Sequence, residues 1–281
     1  MPELPEIWLR AHEIDHALSG RTIVGAHFAQ PKCLNLPPDL FERTIVGLTI
    51  RRAWPRGKWV FVDLQSHCLL LNLGMGGEVL LHAHGQALPD KLQAYLDLLD
   101  GAKLSVHFWW FGYLHLLARD ALATHKMTAG LGPDPLAADF TPLTLASQLT
   151  GRRAIKSLLL DQTRIAGIGN MYSHDILYRA GLHPLRPANS LDSGEVEALW
   201  RAMREVLQEA IDLGGAHWEV DLHGRAGRYD LTCMQVAYKE GQPCPKCGTA
   251  VVKLKTGATA GFICPACQPL ERPTDSSSPS P

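Results

Sequence analysis

The spacing of apolar residues changes along the chain and divides it into segments of different expected structure. Between residues 6 and 18 apolar positions recur at helical spacing and stop at Ser19-Gly20, which predicts a leading helix. From Thr22 to about Leu117 the apolar runs are short and separated by turn residues, which predicts strands of a half-buried sandwich or barrel. These runs are TIVGAHF, TIVGLTI, WVFVDL, LLLNLGM, GEVLLH, KLSVHF and YLHLLA.

The later part of the chain has helical periodicity. Residues 132–143 are proline-rich and polar, which predicts a linker. Helices are expected in LTLASQLT, RAIKSLLLDQ and NMYSHDILYRAG, and from Ser193 to Leu213. The predicted organisation is a sandwich domain at 1–131, a linker at 132–143, a helical domain at 144–238, a small fold-bearing piece at 239–268 and a disordered tail at 269–281.

Composition is that of an ordinary globular protein, with 281 residues, 46% hydrophobic and 20% charged. The sequence has neither a membrane-length apolar span nor a secretory start, so we expect a cytoplasmic protein. The formal net charge of −1 argues against a strong sequence-independent polyanion binder, unless the cations lie on one face. Basic residues do cluster, near Arg52 and again from Arg152 to Arg164, where they form either a solvated face or a nucleic-acid surface.

Two C-x2-C pairs separated by sixteen residues form the strongest self-contained motif. The pairs are Cys244 with Cys247 and Cys264 with Cys267. Each turn directs two thiolates at one point, and the intervening segment is long enough for a β-hairpin, so we predict a zinc ribbon holding one structural Zn²⁺. Lys253 and Lys255 are expected near the hairpin tip, where they form either a nucleic-acid contact or a solvated turn.

The first six residues, MPELPE, offer a different chemistry. If Met1 is removed, Pro2 presents a secondary amine with a pKa near ~8, a usable nucleophile for imine formation. Glu3 and Glu6 supply carboxylates for proton transfer. Taken alone, the same hexapeptide also fits a stiff, exposed lead-in to the first helix.

The segment LLDQTRIAGIGNMY at residues 159–172 places two glycines and Asn170 between helical stretches. Backbone N–H groups and a side-chain amide in such a turn can bind a phosphate oxygen, although a plain helical hairpin also needs glycines.

Together these motifs resemble the formamidopyrimidine-DNA glycosylase / endonuclease VIII family of base-excision repair enzymes. The resemblance extends in order through MPELPE, PRGKW, NLGMGGEV, WFG, LGPDPL, IKSLLLDQTRIAGIGNMYSHDIL, GLHP and the cysteine pairs. It implies an α+β multidomain fold with an N-terminal β-sandwich, a helix–two-turns–helix domain and the zinc ribbon, with DNA held between domains.

The resemblance also implies roles for single residues. Pro2 is similar to the family's nucleophile, which attacks C1′ of a damaged nucleoside and leads to β,δ-elimination. Glu3 is similar to its acid/base partner, and Glu6 to the residue that steadies the amine and the first helix. Lys58, grouped here with the catalytic residues, and Asn170 are similar to residues that contact phosphate near the lesion.

Other positions depart from the family pattern. Met75 and Phe111 match residues that fill the gap left by the flipped nucleotide, but Trp109 and Trp110 replace two arginines of the common Asp-x-Arg-Arg-Phe-Gly. A tryptophan stacks but gives no bidentate hydrogen bonds to a base edge, so we expect weak discrimination of the opposite base. Lys239 stands where the family tends to have the arginine of a Tyr-Gly-Arg sequence. It keeps the positive charge but lacks the planar guanidinium that donates two parallel hydrogen bonds.

The zinc ribbon departs as well, since the phosphate-gripping arginine is absent from Ala258–Gly261. We expect Lys253 or Lys255 to compensate, and we count Arg152 among the DNA contacts. The segment from Gly214 to Glu219 also differs from the loop that caps an oxidised purine in one branch, so the preferred lesion stays open. The resemblance favours an enzyme that acts as a monomer on damaged DNA, without a small-molecule cofactor or a membrane. The alternatives are a non-catalytic damage-binding protein and a protein-binding zinc-ribbon adaptor.

Overall fold

We describe a computed structural model of residues 1–270. From residue 271 onward the predicted disordered tail lies outside the described residues. The helices are α1 Leu4–Leu18, α2 Pro38–Ile45, α3 Pro142–Gln148, α4 Ile155–Leu159, α5 Asn170–Arg179 and α6 Ser193–Asp212. The strands are β1 Ile23–Phe28, β2 Arg52–Arg56, β3 Trp59–Leu64, β4 His67–Asn72, β5 Glu78–His82, β6 Ala94–Leu98, β7 Lys103–His107, β8 Tyr113–Ala118, β9 Val252–Thr256 and β10 Thr259–Ile263.

Two four-stranded antiparallel sheets form the predicted N-terminal sandwich. One has the order β1-β6-β7-β5 and the other β2-β3-β4-β8. Inward side chains of both sheets join the apolar face of α1 in one buried core, to which Ile7, Ile14, Val62, Leu69 and Leu104 belong. The α+β sandwich with a leading helix is confirmed.

Strands β3 and β4 are buried on both faces. On one face Val60 and Val62 join the main core, and on the other Trp59 and Phe61 form a second apolar cluster with Leu70. A strand covered on both sides loses the alternation of apolar and polar residues. This is why WVFVDL reads as an unbroken apolar run.

One predicted strand is wrong. The run TIVGLTI begins at Thr44, but Thr44 and Ile45 end α2. The helix starts after Pro37 with Pro38 in its first turn, where proline's fixed φ fits and its missing N–H costs nothing. Burial of Phe41 and Ile45 in the main core stabilises this short helix.

The chain forms two compact units. The first contains Met1–Ala137, Gln162–Ile168 and Leu207–Asp230, and the second contains Ala138–Asp161, Gly169–Val206 and the described residues from 231 onward. The predicted domain boundaries stay a prediction. Across residues 1–270, none of the helices is both long enough and apolar enough to span a membrane.

In the second unit, β9 and β10 pair as the hairpin expected between the cysteine pairs. Lys156 of α4 is 1% exposed, and its ammonium donates to Thr256 Oγ1 (3.1 Å) and to the Ala260 carbonyl. One cation of the second basic cluster therefore anchors the hairpin internally and is not a solvated charge.

Candidate active site and DNA-contact residues

The start of α1 is a buried polar turn. Glu3 is the N-cap residue, and the Glu6 carboxylate accepts from Glu3 N (2.8 Å) in a capping box, with Pro5 in the first turn. The other Glu6 oxygen accepts from Ala216 N (3.1 Å). Pro2, Glu3 and Glu6 are all buried, whereas Met1 is 50% exposed. The predicted amine and carboxylates therefore lie together, with Glu6 held in place by backbone donors.

A glycine-rich turn holds the chain just after Pro2 and Glu3. Leu4 N donates to Gly167 O (3.0 Å), and Gly167 has φ +99°. A Cβ on Gly167 would lie 2.7 Å from Leu4 Cβ, so only glycine permits this approach. Gln162 fixes the turn, because its Oε1 accepts from Gly167 N and its Nε2 donates to Ile168 O, both at 2.8 Å. This turn is thus part of the scaffold of the N-terminal site.

Residues 214–229 form a short hairpin that is also fastened to α1. Besides the contact between Ala216 and Glu6, Leu222 N donates to Glu13 Oε2 (2.8 Å). Asp221 closes the hairpin, since its Oδ1 accepts from the backbone N–H of residues 223 and 225, each at 2.8 Å. The hairpin is therefore held near its first end, at Ala216, and in its turn, at Asp221 and Leu222.

This hairpin brings a third carboxyl, that of Glu219, close to the N-terminal group. Burial raises the pKa of the Glu219 carboxyl to about 7, and the charge of Glu6 acts in the same direction. The terminal amine and Arg10 act in the opposite direction, and Glu3 raises the pKa further. Glu219 therefore gains or loses its proton near neutral pH beside the predicted nucleophile.

Lys58 occupies the two-residue turn between β2 and β3. Gly57 has φ +59°, as the first position of such hairpin turns requires. Asn72 ties this turn to the following loop, because its Nδ2 donates to Lys58 O (2.9 Å) and its Oδ1 accepts from Gly74 N (3.0 Å). Lys58 itself is half-buried.

Residues 107–112, called the aromatic loop below, pair with the Met75 segment. Met75 N donates to Trp110 O (2.8 Å), and Trp109 N donates to Met75 O (3.0 Å). A Cβ on Gly76 would lie 2.3 Å from Trp109 Cδ1, so the indole ring packs directly on this glycine. Met75, Trp109, Trp110 and Phe111 are all exposed. The predicted gap-filling residues thus form one exposed aromatic ridge.

In the second unit, Asn170 is the first residue of α5, directly after the glycine-rich turn. Within residues 1–270 its Oδ1 is buried without a hydrogen-bond partner. Arg152 is exposed, whereas the Lys239 ammonium donates to Met234 O and is half-buried. Lys253 and Lys255 lie two residues apart on β9 and are exposed.

The four predicted cysteines converge on one point, with their Sγ atoms all within 4.8 Å of one another. Sγ–Sγ distances are 3.8 Å for Cys244 and Cys267 and 3.4 Å for Cys247 and Cys264. A tetrahedral Zn²⁺ with Zn–S bonds of about 2.3 Å requires about 3.8 Å between sulfurs, so the cluster fits one zinc ion. All four positions are protein thiolates, so the zinc is structural.

Some residues of the site were not predicted from the sequence. Glu219 lies in the segment from Gly214 to Glu219, for which the sequence indicated only a difference from the family's loop. Gln162 lies in the segment 159–172, where the glycines and Asn170 were the predicted features. Asn72 acts by hydrogen bonds to the main chain of Lys58 and Gly74, and a polar residue that binds main-chain atoms leaves no periodic signal in the sequence. Only the Gly-Gly pair at 214–215 marks the turn that carries Glu219.

Family comparisons agree with this arrangement along the chain. The formamidopyrimidine-DNA glycosylase N-terminal domain matches residues 1–110, and the H2TH domain of the same glycosylase matches residues 131–221. The zinc finger found in FPG and IleRS matches residues 241–270.

Full-length relatives lead to the same family. The formamidopyrimidine-DNA glycosylase of Chloroflexus aggregans is 39% identical over 276 residues, covering 96% of this chain and 99% of the relative. That of Pelotomaculum thermopropionicum is 37% identical, covering 96% of this chain and 100% of the relative. Among solved structures, Lactococcus lactis Fpg bound to DNA containing an oxidized pyrimidine has a TM-score of 0.86 at 27% identity, covering 95% of this chain and 100% of that one.

A second Lactococcus lactis Fpg complex, with DNA containing an abasic site, also has a TM-score of 0.86, at 26% identity over 95% of this chain. The prediction of an enzyme with one structural zinc is confirmed. The chain belongs to the formamidopyrimidine-DNA glycosylase family and is a DNA glycosylase and abasic-site lyase of base excision repair.

Proposed function

We propose that the enzyme excises damaged bases through an imine at Pro2 after removal of Met1. The observation that carries this proposal is the buried turn at the start of α1, where Glu3 directly follows the proline and Glu6 accepts from two backbone N–H groups. Met1 is exposed and available for removal. Removal leaves a secondary amine whose position is set by α1 and by the contact between Leu4 and Gly167.

The neutral Pro2 amine attacks C1′ of the damaged nucleotide. The N–C1′ bond forms as the bond from C1′ to the base breaks, and the base leaves with that electron pair and takes a proton from solvent. The Glu3 carboxylate accepts the N–H proton of the resulting ammonium and delivers it to the sugar ring oxygen as the bond from C1′ to that oxygen breaks, which yields the iminium. Loss of a C2′ proton then expels the 3′ phosphate, loss of a C4′ proton expels the 5′ phosphate, and water hydrolyses the iminium to free Pro2.

Glu219 gives this site a further candidate proton acceptor. Burial and the charge of Glu6 raise the pKa of the Glu219 carboxyl to about 7, so it can take up or release a proton near neutral pH. Glu6 contributes differently, because its oxygens are engaged by backbone donors and hold α1 and the hairpin together.

Cationic and amide groups are proposed to hold the DNA backbone. Lys58 and Asn170 contact phosphates near the lesion. Asn170 is the first residue of α5, where a side-chain amide and the free backbone N–H groups of a helix N-terminus are suited to a phosphate oxygen. The exposed Arg152, Lys253 and Lys255 add contacts farther along the duplex. Lys239 contributes less, because its ammonium already donates to a backbone carbonyl.

The aromatic loop is proposed to fill the gap left by the flipped nucleotide. Met75 and Phe111 enter the stack, and Trp109 stacks where the common pattern has a base-reading arginine. Stacking is tolerant of sequence, so cleavage rates with different opposite bases are expected to lie within about tenfold, or ~1.4 kcal/mol. Rates spread more widely over a panel that changes only the opposite base would contradict this assignment. The monomeric state and the cytoplasmic location stay predictions.

Product analysis on duplexes with one abasic site or one oxidised base tests the proposal. Wild type should cut the abasic duplex and leave phosphate at both ends of the gap, as β,δ-elimination requires. Pro2→Gly should lose cutting, and Glu3→Gln should lose it by ~100-fold or more, since a positioned acid/base group is worth ~10²–10⁴-fold. Glu42→Gln, an exposed change on α2, is the control. Full cutting by Pro2→Gly would refute the need for the proline ring, since a terminal glycine keeps an amine that can also form an imine.

A further inference from the structure

A cavity of about 390 Å³ lies in the first unit, alongside the aromatic loop. This volume falls within the ~300–1,000 Å³ of small-molecule pockets. Its lining includes Phe108, Trp110, Phe111, Tyr113, Gln30 and Lys32. Four aromatic rings with an amide and an ammonium are the groups that stack and hydrogen-bond a flat, polar ring.

The floor of the cavity is preformed. Gln93 clamps Phe108 through two bonds of 2.8 Å, one from Phe108 N to Oε1 and one from Nε2 to Phe108 O. A Cβ on Gly112 would lie 2.2 Å from the Phe108 ring, so the ring is seated on a glycine. A surface held this tightly does not have to reorganise when a ligand binds.

The outer wall is strained and exposed. Phe111 has φ +56°, a left-handed conformation that is rare for a bulky residue. The turn projects Phe111 and Trp110 into solvent, where neither ring gains from burial in the first unit. Backbone strain and exposed aromatic surface both fail to stabilise the folded protein by itself. Together they are typical of a segment that binds a ligand.

Two lysines give the region a positive charge. Lys32 lines the cavity, and Lys91 Nζ lies 5.4 Å from the ring centroid of Trp109. A ligand that combines an uncharged flat ring with a phosphate matches this combination of rings and cations. A nucleotide extruded from a DNA strand is such a ligand.

We propose that this cavity receives the base opposite the lesion as an extrahelical base. The inference rests on the proposed function, because it requires the damaged nucleotide to have left the helix. Its partner has then lost its base pair, and extrusion costs only stacking. Trp109, standing in place of an arginine, cannot retain that partner by hydrogen bonds. The cavity offers the released base new stacking surface beside the loop that displaces it.

Photocrosslinking locates the partner base directly. A duplex carries a tetrahydrofuran abasic analogue opposite 5-iodouracil, is bound by wild type, irradiated and digested, and the adduct is mapped by mass spectrometry. Adducts on Tyr113 or Trp110 are the expected result. Adducts confined to Met75, which does not line the cavity, or no adduct in the bound complex, would overturn the proposal.

An affinity comparison adds a matched control. Wild type should bind a tetrahydrofuran analogue opposite a normal base about tenfold more tightly than the same analogue opposite a second analogue. Gln30→Trp, which fills the mouth of the cavity, should abolish this preference. Gln86→Trp should keep it, since Gln86 is another exposed glutamine whose Oε1 accepts from a backbone N–H. Equal behaviour of the two variants would overturn the proposal.

Cleavage of a duplex with a natural abasic site separates this inference from the proposed function. Cutting by wild type without a crosslink in the cavity would overturn the extrahelical base alone. Absence of cutting would contradict the imine chemistry, whatever the crosslink shows.

Discussion

Glu3 and Glu6 at the start of α1 are 5% and 3% exposed, whereas Trp110 and Phe111 of the aromatic loop are 65% and 69% exposed. The carboxylates accept backbone hydrogen bonds, while the aromatic rings project from a turn with a left-handed residue. Both regions lie in the same unit. The first is a set of groups whose positions the fold specifies, and the second presents aromatic side chains that are not stabilised by burial in this unit.

The difference teaches how the enzyme separates chemistry from recognition. Proton transfer and attack need fixed atoms, so buried partners around Glu6 are an advantage. Recognition of distorted DNA needs side chains that become buried and stack on bases when the DNA binds, so exposed aromatic rings are tolerated in the free protein. Changes at the amine site should therefore alter both stability and chemistry, and changes in the aromatic loop should alter DNA recognition with little effect on stability.

The largest expected effect is at Glu6. Glu6→Ala removes the acceptor of Glu3 N and Ala216 N and should destabilise the protein by about 2–6 kcal/mol, at ~1–3 kcal/mol for each lost partner. Urea unfolding measures this, and single-turnover cleavage should fall with it. Glu6→Gln keeps one carbonyl oxygen and should lose less. A Glu6→Ala protein as stable as wild type would contradict the claim that the buried carboxylate at the start of α1 stabilises the fold.

Glu219 should make stability depend on pH. Its folded pKa of about 7 lies above the ordinary value near 4.5, so its contribution is full below the ordinary value and is lost as pH rises through 7. Glu219→Gln removes the ionised form and should stabilise the protein at pH 8 by about 1–2 kcal/mol relative to its effect at pH 5, after allowance for partial exposure. Unfolding at both pH values measures this. Glu42→Gln should show no such difference, and equal effects of Glu219→Gln at the two pH values would refute the raised pKa.

Opposite-base discrimination should change when Trp109 is changed. Trp109→Arg supplies a fork of donors to a base edge, so cleavage rates with different opposite bases should separate by about tenfold, or ~1.4 kcal/mol. The free energy of unfolding should stay within ~0.5 kcal/mol, because the side chain is exposed. Trp109→Lys is the control, since it adds charge without the fork. Unchanged discrimination by Trp109→Arg would contradict the proposal that residue 109 stands at the position of the family's base-reading arginine.

The smallest effect is expected at Phe111, where two variants separate strain from binding. Phe111→Ala and Phe111→Gly should weaken DNA binding equally, because both remove the ring. Only glycine relieves φ +56°, so Phe111→Gly should be the more stable of the two by about 1 kcal/mol. Thermal unfolding and binding titrations measure the pair. Equal stability would mean that the loop carries no backbone strain.

The spacing of apolar residues predicted strands and helices correctly where one regular pattern of burial runs through the whole element. WVFVDL and YLHLLA are the strands β3 and β8, and the helices beginning near Leu4 and at Ser193 and Asn170 lie where the spacing placed them. It failed where local and tertiary signals compete. Strand β2 carries Pro55, which suits only a sheet edge, and that strand was not predicted.

The candidate site divides in the same way. Pro2, Glu3 and Glu6 were predicted as neighbours because they are neighbours in sequence. Glu219 was not predicted as part of the site, because its approach to α1 depends on two long-range backbone bonds to Glu6 and Glu13. The cavity beside the aromatic loop depends on Gln93, whose clamp on residue 108 has no sequence signal. Contacts between segments that are distant in the chain cannot be predicted from the pattern of a single sequence.

Borohydride trapping tests the central claim most directly. Wild type is incubated with abasic duplex and sodium borohydride, and the adduct is mapped by peptide mass spectrometry while intact mass reports removal of Met1. The account predicts a stable protein–DNA adduct on the amine of Pro2, absent from Pro2→Gly. An adduct on a lysine such as Lys58, or none despite tight binding and cleavage, would contradict it.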